Sequence, residues 1–309
     1  MMFTPPLHTR LDELAVIEFA GPDAVSFLHG QITQDVSGLP QGQARPAGYC
    51  TAKGRLLATM VFWRSGAENV RALVRADLAD VLAKRLGMFV LRAKVSVRRL
   101  DSAVWGVGLP AGEAHEAGDW AVRQAEDGDW VHAPSAPGAE IRRCWYVAQA
   151  GHTPPGMQTS GWAQAWRAQD IQAGLPWVQA ATQELFIPQT LNLDLIDGVS
   201  FTKGCYPGQE VVARSHYRGT IKRRMSAGSC PAALGPGADA AFAPGTDIYD
   251  AAKPDAPWGR VVNSQIFDGR AWLLFEAQLA DLNQAELRLG SPQGPVIELA
   301  QLPYFIMGD

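Results

Sequence analysis

The segment Phe201–Gly219, FTKGCYPGQEVVARSHYRG, concentrates residue types that can do chemistry. Cys205 stands two residues after Lys203 and just before a stretch of helical spacing, which we expect to begin at Pro207 because proline suits the first helical position. The partial positive charge of a helix N-terminus, with an ammonium nearby, favours a thiolate. The pattern predicts an activated cysteine, and the residues alone leave open a buried structural thiol in a glycine-rich turn.

Three charged residues of the same segment recur at intervals of four: Glu210, Arg214 and Arg218. On a helix they share one face, and a glutamate that precedes an arginine by four residues is in the favourable order for an ion pair. The two arginines are equally suited to bind the carboxylates of an anionic ligand. The spacing does not decide between these two roles.

A second cysteine with basic neighbours occurs nearer the N-terminus. Cys50 precedes Lys53 and Arg55, which fall in the turn between two predicted strands, Arg45–Cys50 and Leu56–Arg64. We favour a hairpin turn with exposed basic residues. The alternative is a second site in which a thiol and cations act together.

Composition and charge limit the class of protein. The 309 residues are 47% hydrophobic with a net charge of −4, which is typical of a globular chain and does not favour stable nucleic-acid binding. The apolar runs are shorter than the roughly 18 residues that a membrane span needs. The four cysteines lie far apart and the six histidines show no metal-ligand spacing. We therefore expect a cytoplasmic protein with free thiols and no bound metal.

The elements that must hold these residues change character along the chain. Up to about residue 220, predicted strands alternate with helices and hairpins, which indicates α+β layers in two interleaved subdomains over residues 1–220. Short strands at regular spacing follow and predict a small β-barrel over residues 221–309. The strands expected there are Ile248–Asp250, Gly259–Phe267, Trp272–Ala277, Leu287–Leu289 and Val296–Leu299.

The run KGCYPGQE, from Lys203 to Glu210, resembles the K-G-C-[FY]-x-G-Q-E signature of the YgfZ family at every specified position. The resemblance extends over essentially the whole chain, through the segments 30–36, 50–55, 166–176, 186–201 and 302–304. That family is similar in fold to the T-protein aminomethyltransferases, in which two α+β layers enclose a folate cavity and a C-terminal β-barrel packs alongside.

The resemblance implies a function as well as a fold. It implies a tetrahydrofolate-binding protein that supports the assembly or repair of iron–sulfur enzymes, including enzymes that thiolate tRNA, as transient partners. Cys205 would be the functional residue, with Lys203 beside it. The folate-binding residues expected on this basis are Gln172, Tyr206, Gln209, Glu210, Arg214, Arg218, Lys53 and Arg55.

Two positions depart from the related pattern. Gln172 stands where a Leu-Glu-Ala-Gly pattern carries a glutamate for the pterin ring, and an amide matches only part of that edge. Folate would then bind more weakly or in a changed orientation, unless Gln172 simply faces outward. Ala58 and Thr59 stand where aminomethyltransferases carry an aspartate, and neither can act as a carboxylate base.

The missing acid argues against glycine cleavage and leaves open whether the chain is an enzyme. A folate-dependent one-carbon transferase or demethylase is the alternative function. A third possibility is an interaction scaffold that retains a vestigial cavity.

Overall fold

Three β-sheets and five α-helices make up the part of the chain that the structure, a computed structural model, describes: residues 4, 6–110, 118–136, 138–217, 219, 221–232 and 238–306. The strands are β1 Leu7–Arg10, β2 Leu14–Ala20, β3 Ala44–Cys50, β4 Leu56–Arg64, β5 Asn69–Arg75, β6 Ser96–Arg99, β7 Val104–Pro110, β8 Val122–Ala125, β9 Gly128–His132, β10 Ile141–Ala148, β11 Met157–Gln158, β12 Arg223–Pro231, β13 Asp247–Asp250, β14 Gly259–Phe267, β15 Arg270–Gln278, β16 Leu287–Leu289 and β17 Glu298–Ala300. The helices are α1 Ala24–His29, α2 Ala76–Gly87, α3 Trp162–Gln172, α4 Gln209–Tyr217 and α5 Ala238–Ala241.

The first sheet is antiparallel, with the strand order β3-β4-β5-β2-β6. Both of its faces are covered, and side chains along a strand point alternately to the two faces. Met60 and Phe62 of β4 belong to the core beneath α1 and α2, whereas Val61 and Trp63 belong to the core shared with the second sheet. Eight of the nine β4 residues are therefore buried.

The second sheet has the order β11-β1-β7-β10-β9-β8. Because β1 lies in this sheet and β2 in the first, the chain crosses between the two layers within its first twenty residues. The packing against α3 is dominated by tryptophans, including Trp145 and Trp166. A buried ion pair, Arg143 Nη1 to Asp170 Oδ1 at 2.6 Å, ties the sheet to α3, and the guanidinium stacks on the Trp166 ring at 4.7 Å.

The third sheet, in the order β16-β13-β14-β15-β12-β17, begins at Arg223 and curls into a half-barrel with a core of its own. Its two edges approach each other through a bridge between Arg288 and Val296. The predicted α+β class is thus confirmed, with a half-barrel at the C-terminal end, while the domain boundary at residue 220 stays a prediction. Within the described part, none of the helices is long and apolar enough to span a bilayer.

A buried polar network fixes α4 to the third sheet. Gln189 Nε2 donates to the Val212 carbonyl of α4 at 2.6 Å, and Asn192 Nδ2 donates to the Met225 carbonyl of β12 at 2.7 Å. Arg224 of β12 forms two parallel hydrogen bonds to the Asp194 carboxylate, both 2.9 Å. Bidentate, charge-assisted bonds of this kind hold geometry well. The network therefore fixes the position of α4, and with it the end of the loop that precedes α4.

Candidate functional site

Cys205 lies in an irregular loop ahead of α4, and its side chain is exposed. The prediction that the helix begins at Pro207 is wrong, because α4 begins at Gln209. Gly208 takes a φ of +82°, which interrupts a right-handed helix, and the Gln209 N–H donates back to the Tyr206 carbonyl at 3.2 Å. Cys205 is therefore four residues ahead of the first helical residue rather than at the helix N-terminus.

The Lys203 ammonium is held by backbone carbonyls at the end of α1 and in the segment that follows it. It donates to the carbonyl of Ile32 at 2.7 Å, to that of Gln34 at 3.3 Å and to that of His29. Burial lowers the pKa of Lys203 to about 8, against the opposing effect of Asp35. Lys203 therefore holds residues 201–208, which we call the cysteine loop, against the segment after α1.

The two segments in which a cysteine has basic neighbours in sequence meet through two glycines. A Cβ placed on Gly208 would lie 2.5 Å from the Thr51 carbonyl oxygen, and one on Gly54 would lie 2.9 Å from the Val211 Cβ. The turn 51–55 therefore packs directly against the start of α4. Arg55 donates from Nη1 to the Leu185 carbonyl at 2.8 Å.

Cys50 differs sharply from Cys205 in its surroundings. Its side chain is buried at the end of β3, and this burial raises the pKa of the Cys50 thiol to about 12. Tyr206 is buried nearby, and burial together with Cys50 raises the pKa of its hydroxyl. Lys53 is exposed in the turn. These observations favour the hairpin interpretation of this cluster over a second reactive thiol.

The charged residues of α4 form the local pair that their spacing predicts. Arg214 Nη2 lies 2.7 Å from Glu210 Oε1, with both side chains more than two-thirds exposed. The i,i+4 ion pair is therefore confirmed. Gln209 donates from Nε2 to the Lys203 carbonyl at 3.4 Å, and Arg218 lies outside the described residues.

Gln172 ends α3 and lines a cavity of about 320 Å³ between α3 and the third sheet. Trp272 and Gln301 line the same cavity. Gln172 is half-buried and lines a pocket that is partly open to solvent, which favours a side chain that lines this pocket over one that faces outward. Just beyond it, the Tyr304 hydroxyl donates to the Gly174 carbonyl at 3.0 Å and anchors the C-terminal segment to the end of α3.

The position that carries an aspartate in aminomethyltransferases has a structural role here. Thr59 is buried, and its hydroxyl donates to the Pro176 carbonyl and accepts from the Val178 N–H, both at 2.9 Å. Ala58 beside it is buried as well. The hydroxyl is therefore committed to holding the segment after α3, and no carboxylate is supplied by these two residues.

Two residues that the sequence did not single out stand beside the cysteine loop. His29 Nδ1 lies 3.0 Å from Asp35 Oδ1, and the opposite ring nitrogen, Nε2, lies 3.9 Å from where a Cβ on Gly204 would be. The sequence signal that could have found them is position. Asp35 lies in the segment 30–36, which resembles the YgfZ pattern, and His29 directly precedes that segment. Within the described residues, no group of three or more His, Cys, Asp or Glu could hold a metal ion.

Comparison with solved structures defines the class of fold. The glycine cleavage system aminomethyltransferase T from Bartonella henselae is similar with a TM-score of 0.66, over 96% of this chain and 85% of that one, at 16% identity. The chain therefore has the aminomethyltransferase fold.

Comparison with curated proteins then defines the family. The tRNA-modifying protein YgfZ of Klebsiella pneumoniae (strain 342) is 34% identical over 228 residues, which is 70% of this chain and 69% of that protein. The protein of the same name from Yersinia pestis (strain Pestoides F) is 30% identical over 227 residues, covering 70% and 68%. The chain belongs to the YgfZ family, which confirms the family resemblance predicted from the sequence. No protein-family model matches the chain.

Proposed function

We propose that this protein binds a reduced folate, tetrahydrofolate or a close relative, and supports the assembly or repair of iron–sulfur enzymes, among them enzymes that thiolate tRNA. The proposal takes its tRNA connection from relatives described as tRNA-modifying and its folate connection from the aminomethyltransferase fold. The setting that suits it is a reducing cytoplasm, where free thiols persist.

The observation that carries the proposal is the position of Cys205. Of the four cysteines, all of which lie in the described part of the chain, Cys205 alone is exposed, and it stands in the loop that bears the family motif. A thiol kept at the surface is available to a partner protein, whereas a buried thiol serves packing. The functional step is transient thiol chemistry at Cys205, with the folate bound separately.

The cavity beside Gln172 is the site that we propose for the folate. Its volume of about 320 Å³ lies at the lower end of the range for small-molecule pockets. Its lining includes Trp272, an aromatic residue of the kind that stacks on a pterin, and Gln172 and Gln301, whose amides can form hydrogen bonds to a pterin edge. Among the motif residues expected to bind folate, Glu210 and Arg214 are exposed and paired with each other, which favours a supporting role at most.

A one-carbon transferase is the second function that the fold suggests, since the structural neighbour is an aminomethyltransferase. The engagement of the Thr59 hydroxyl with the Pro176 carbonyl and the Val178 N–H argues against it, because no carboxylate stands there to stabilise a developing iminium. We therefore place maturation support ahead of one-carbon transfer.

Replacement of Cys205 tests the maturation role directly. In cells that lack the natural gene, the Cys205→Ala variant should fail to restore tRNA thiolation and iron–sulfur enzyme activity, while its thermal unfolding stays near that of the wild type. Cys230→Ala, which alters a buried thiol in the third sheet, is the matched control and should restore both. Full restoration by Cys205→Ala would refute the proposed role of the thiol.

Calorimetric titration with tetrahydrofolate tests the ligand. We expect saturable binding by the wild type and by Cys205→Ala alike, and about tenfold tighter binding by Gln172→Glu, because a carboxylate accepts from both donors of a pterin edge. Absence of binding by the wild type and by Gln172→Glu would remove folate from the proposal and favour the scaffold alternative.

A further inference from the structure

The surroundings of the cysteine loop contain a histidine held in a defined orientation. His29, the last residue of α1, places Nδ1 3.0 Å from Asp35 Oδ1 and 3.2 Å from the Ser37 hydroxyl. Asp35 is itself fixed, because its Oδ1 accepts from the Gly38 N–H at 2.9 Å. The imidazole is therefore oriented by a carboxylate that the local backbone holds in place.

The orientation determines which ring nitrogen can accept a proton. A neutral imidazole that donates from Nδ1 to a carboxylate carries its lone pair on Nε2. Nε2 lies 3.9 Å from the Cβ position of Gly204, the nearest atom outside residues 203–205, and Gly204 directly precedes the exposed Cys205. The base and the group that orients it thus lie against the residue that precedes the nucleophile, although the two segments are distant in the sequence.

We propose that His29, oriented by Asp35, accepts the proton of the Cys205 thiol. The thiol proton leaves Sγ for Nε2, which gives a thiolate and an imidazolium, and the carboxylate of Asp35 stabilises the imidazolium. The electron pair of the S–H bond stays on sulfur, so the step needs no oxidant or reductant. The thiolate is the form that attacks an electrophile or a disulfide or binds a metal.

Lys203 has a positioning role in this arrangement. Its ammonium donates to the carbonyl oxygens of His29, Ile32 and Gln34, so it holds the end of α1 against the cysteine loop. The lysine next to the motif cysteine therefore acts through the histidine backbone.

Other charged groups lie on the elements packed around this loop. Lys53 and Arg55 are in the turn against Gly208, and Glu210 and Arg214 form an exposed pair on α4. None of these side chains is replaced in the variants below, so their effect on the thiol is constant between the proteins compared.

The pH dependence of alkylation tests the proposal on the full chain. Iodoacetamide would be added between pH 5.5 and 9.5 and Cys205 modification followed by intact mass, with Cys205→Ala giving the background. His29→Gln should raise the pH of half-maximal rate by about one unit, which is roughly tenfold slower alkylation at pH 7. Asp35→Asn should shift it in the same direction by less. His29→Gln keeps the backbone carbonyl that binds Lys203.

The controls separate proton transfer from loss of structure. A merely structural role would change accessibility, and with it the plateau rate, without moving the pH of half-maximal rate. His216→Gln, whose ring stacks on Phe201 at a centroid distance of 3.7 Å, should leave the profile as it is. Unshifted profiles in both His29→Gln and Asp35→Asn would overturn the proposal, and Asp35→Asn alone decides if His29→Gln does not fold.

The inference concerns the same thiol as the proposed function but can fail independently of it. The alkylation assay uses neither folate nor an iron–sulfur enzyme. If the profile shifts as expected and Cys205→Ala nevertheless restores tRNA thiolation, the proton transfer is supported and the maturation role of the thiol is refuted.

Discussion

Cys50 and Cys205 have similar sequence surroundings and opposite environments. Each stands within a few residues of a lysine and a glycine, and the two segments pack against each other through Gly54 and Gly208. Yet Cys50 is only 2% exposed and has its pKa raised to about 12 by burial, whereas Cys205 is exposed. The position of the residue in a strand or in a loop, rather than its basic neighbours in sequence, separates the two thiols.

The basic neighbours themselves have a common role. Arg55 donates to the Leu185 carbonyl near Cys50, and Lys203 donates to three carbonyls near Cys205. In both places the cation connects backbone segments far apart in the chain. The group that distinguishes the Cys205 side is the imidazole of His29, which comes from α1.

The comparison predicts a large difference in thiol reactivity, which is the largest effect expected. With a pKa of about 12, the Cys50 thiolate fraction at pH 8 is about 10⁻⁴, and burial blocks access to the reagent as well. In the native protein we expect alkylation of Cys205 to be at least about 1,000-fold faster than that of Cys50, measured by peptide mapping over time.

Unfolding supplies the control for this prediction. In concentrated urea all four thiols should react at comparable rates, since the protection comes from the fold. Modification of Cys50 and Cys205 at similar rates in the native protein would abolish the distinction between the two sites.

The contact between the two segments predicts the next largest effect. In Gly208→Ala the new Cβ would meet the Thr51 carbonyl oxygen at 2.5 Å, at a φ of +82° that L-residues rarely adopt. Since the opposing atoms are backbone, one segment must move, and we expect a loss of about 3 kcal/mol in the free energy of unfolding by urea.

Gly151→Ala is the matched control for the steric part of that loss. Gly151 has a φ of +84° with nothing within 4 Å of its Cβ position, so only the backbone conformation is penalised, by about 1 kcal/mol. Equal losses in the two variants would show that the contact between the two segments contributes nothing to stability.

Much of the fold could be predicted because its signals are local. Gly259–Phe267 and Leu287–Leu289 are strands with the bounds that their alternation predicts, and the hairpin around Lys53 is present. The ion pair between Glu210 and Arg214 likewise depends only on helical spacing. The start of α4 was placed too early, because the φ of Gly208 is set by its contact with Thr51, which lies more than 150 positions earlier.

The site could be predicted only in part for the same reason. The motif predicts Cys205 as the functional residue, but the acceptors of Lys203 and the imidazole of His29 lie about 170 positions away in the sequence. Spacing within one segment cannot show such partners. The local spacing predicts instead that Lys203 and a helix N-terminus act on the thiol. In the structure the Lys203 ammonium is bound to carbonyls, and α4 begins four residues after Cys205.

The smallest expected effect sharpens the comparison on the Cys205 side, where the carboxylate of Asp35 lies in the segment after α1. The Gly38 N–H, with a smaller contribution from His29, lowers the pKa of Asp35 below its usual value, although burial opposes this.

A carboxyl whose pKa is lower in the folded state stabilises the fold above about pH 4, and this contribution is lost as the pH falls through the folded-state pKa. The difference in unfolding free energy between wild type and Asp35→Asn should therefore be below about 1 kcal/mol at pH 6 and become smaller as the pH falls below about 4, as measured by urea titration. Ser37→Ala removes the hydroxyl near His29 without removing a titrating group, so its difference from wild type should not vary with pH. An Asp35→Asn difference that is constant from pH 3 to 6 would mean that the carboxylate is not held in its ionised form, and the orienting partner assigned to His29 would be lost with it.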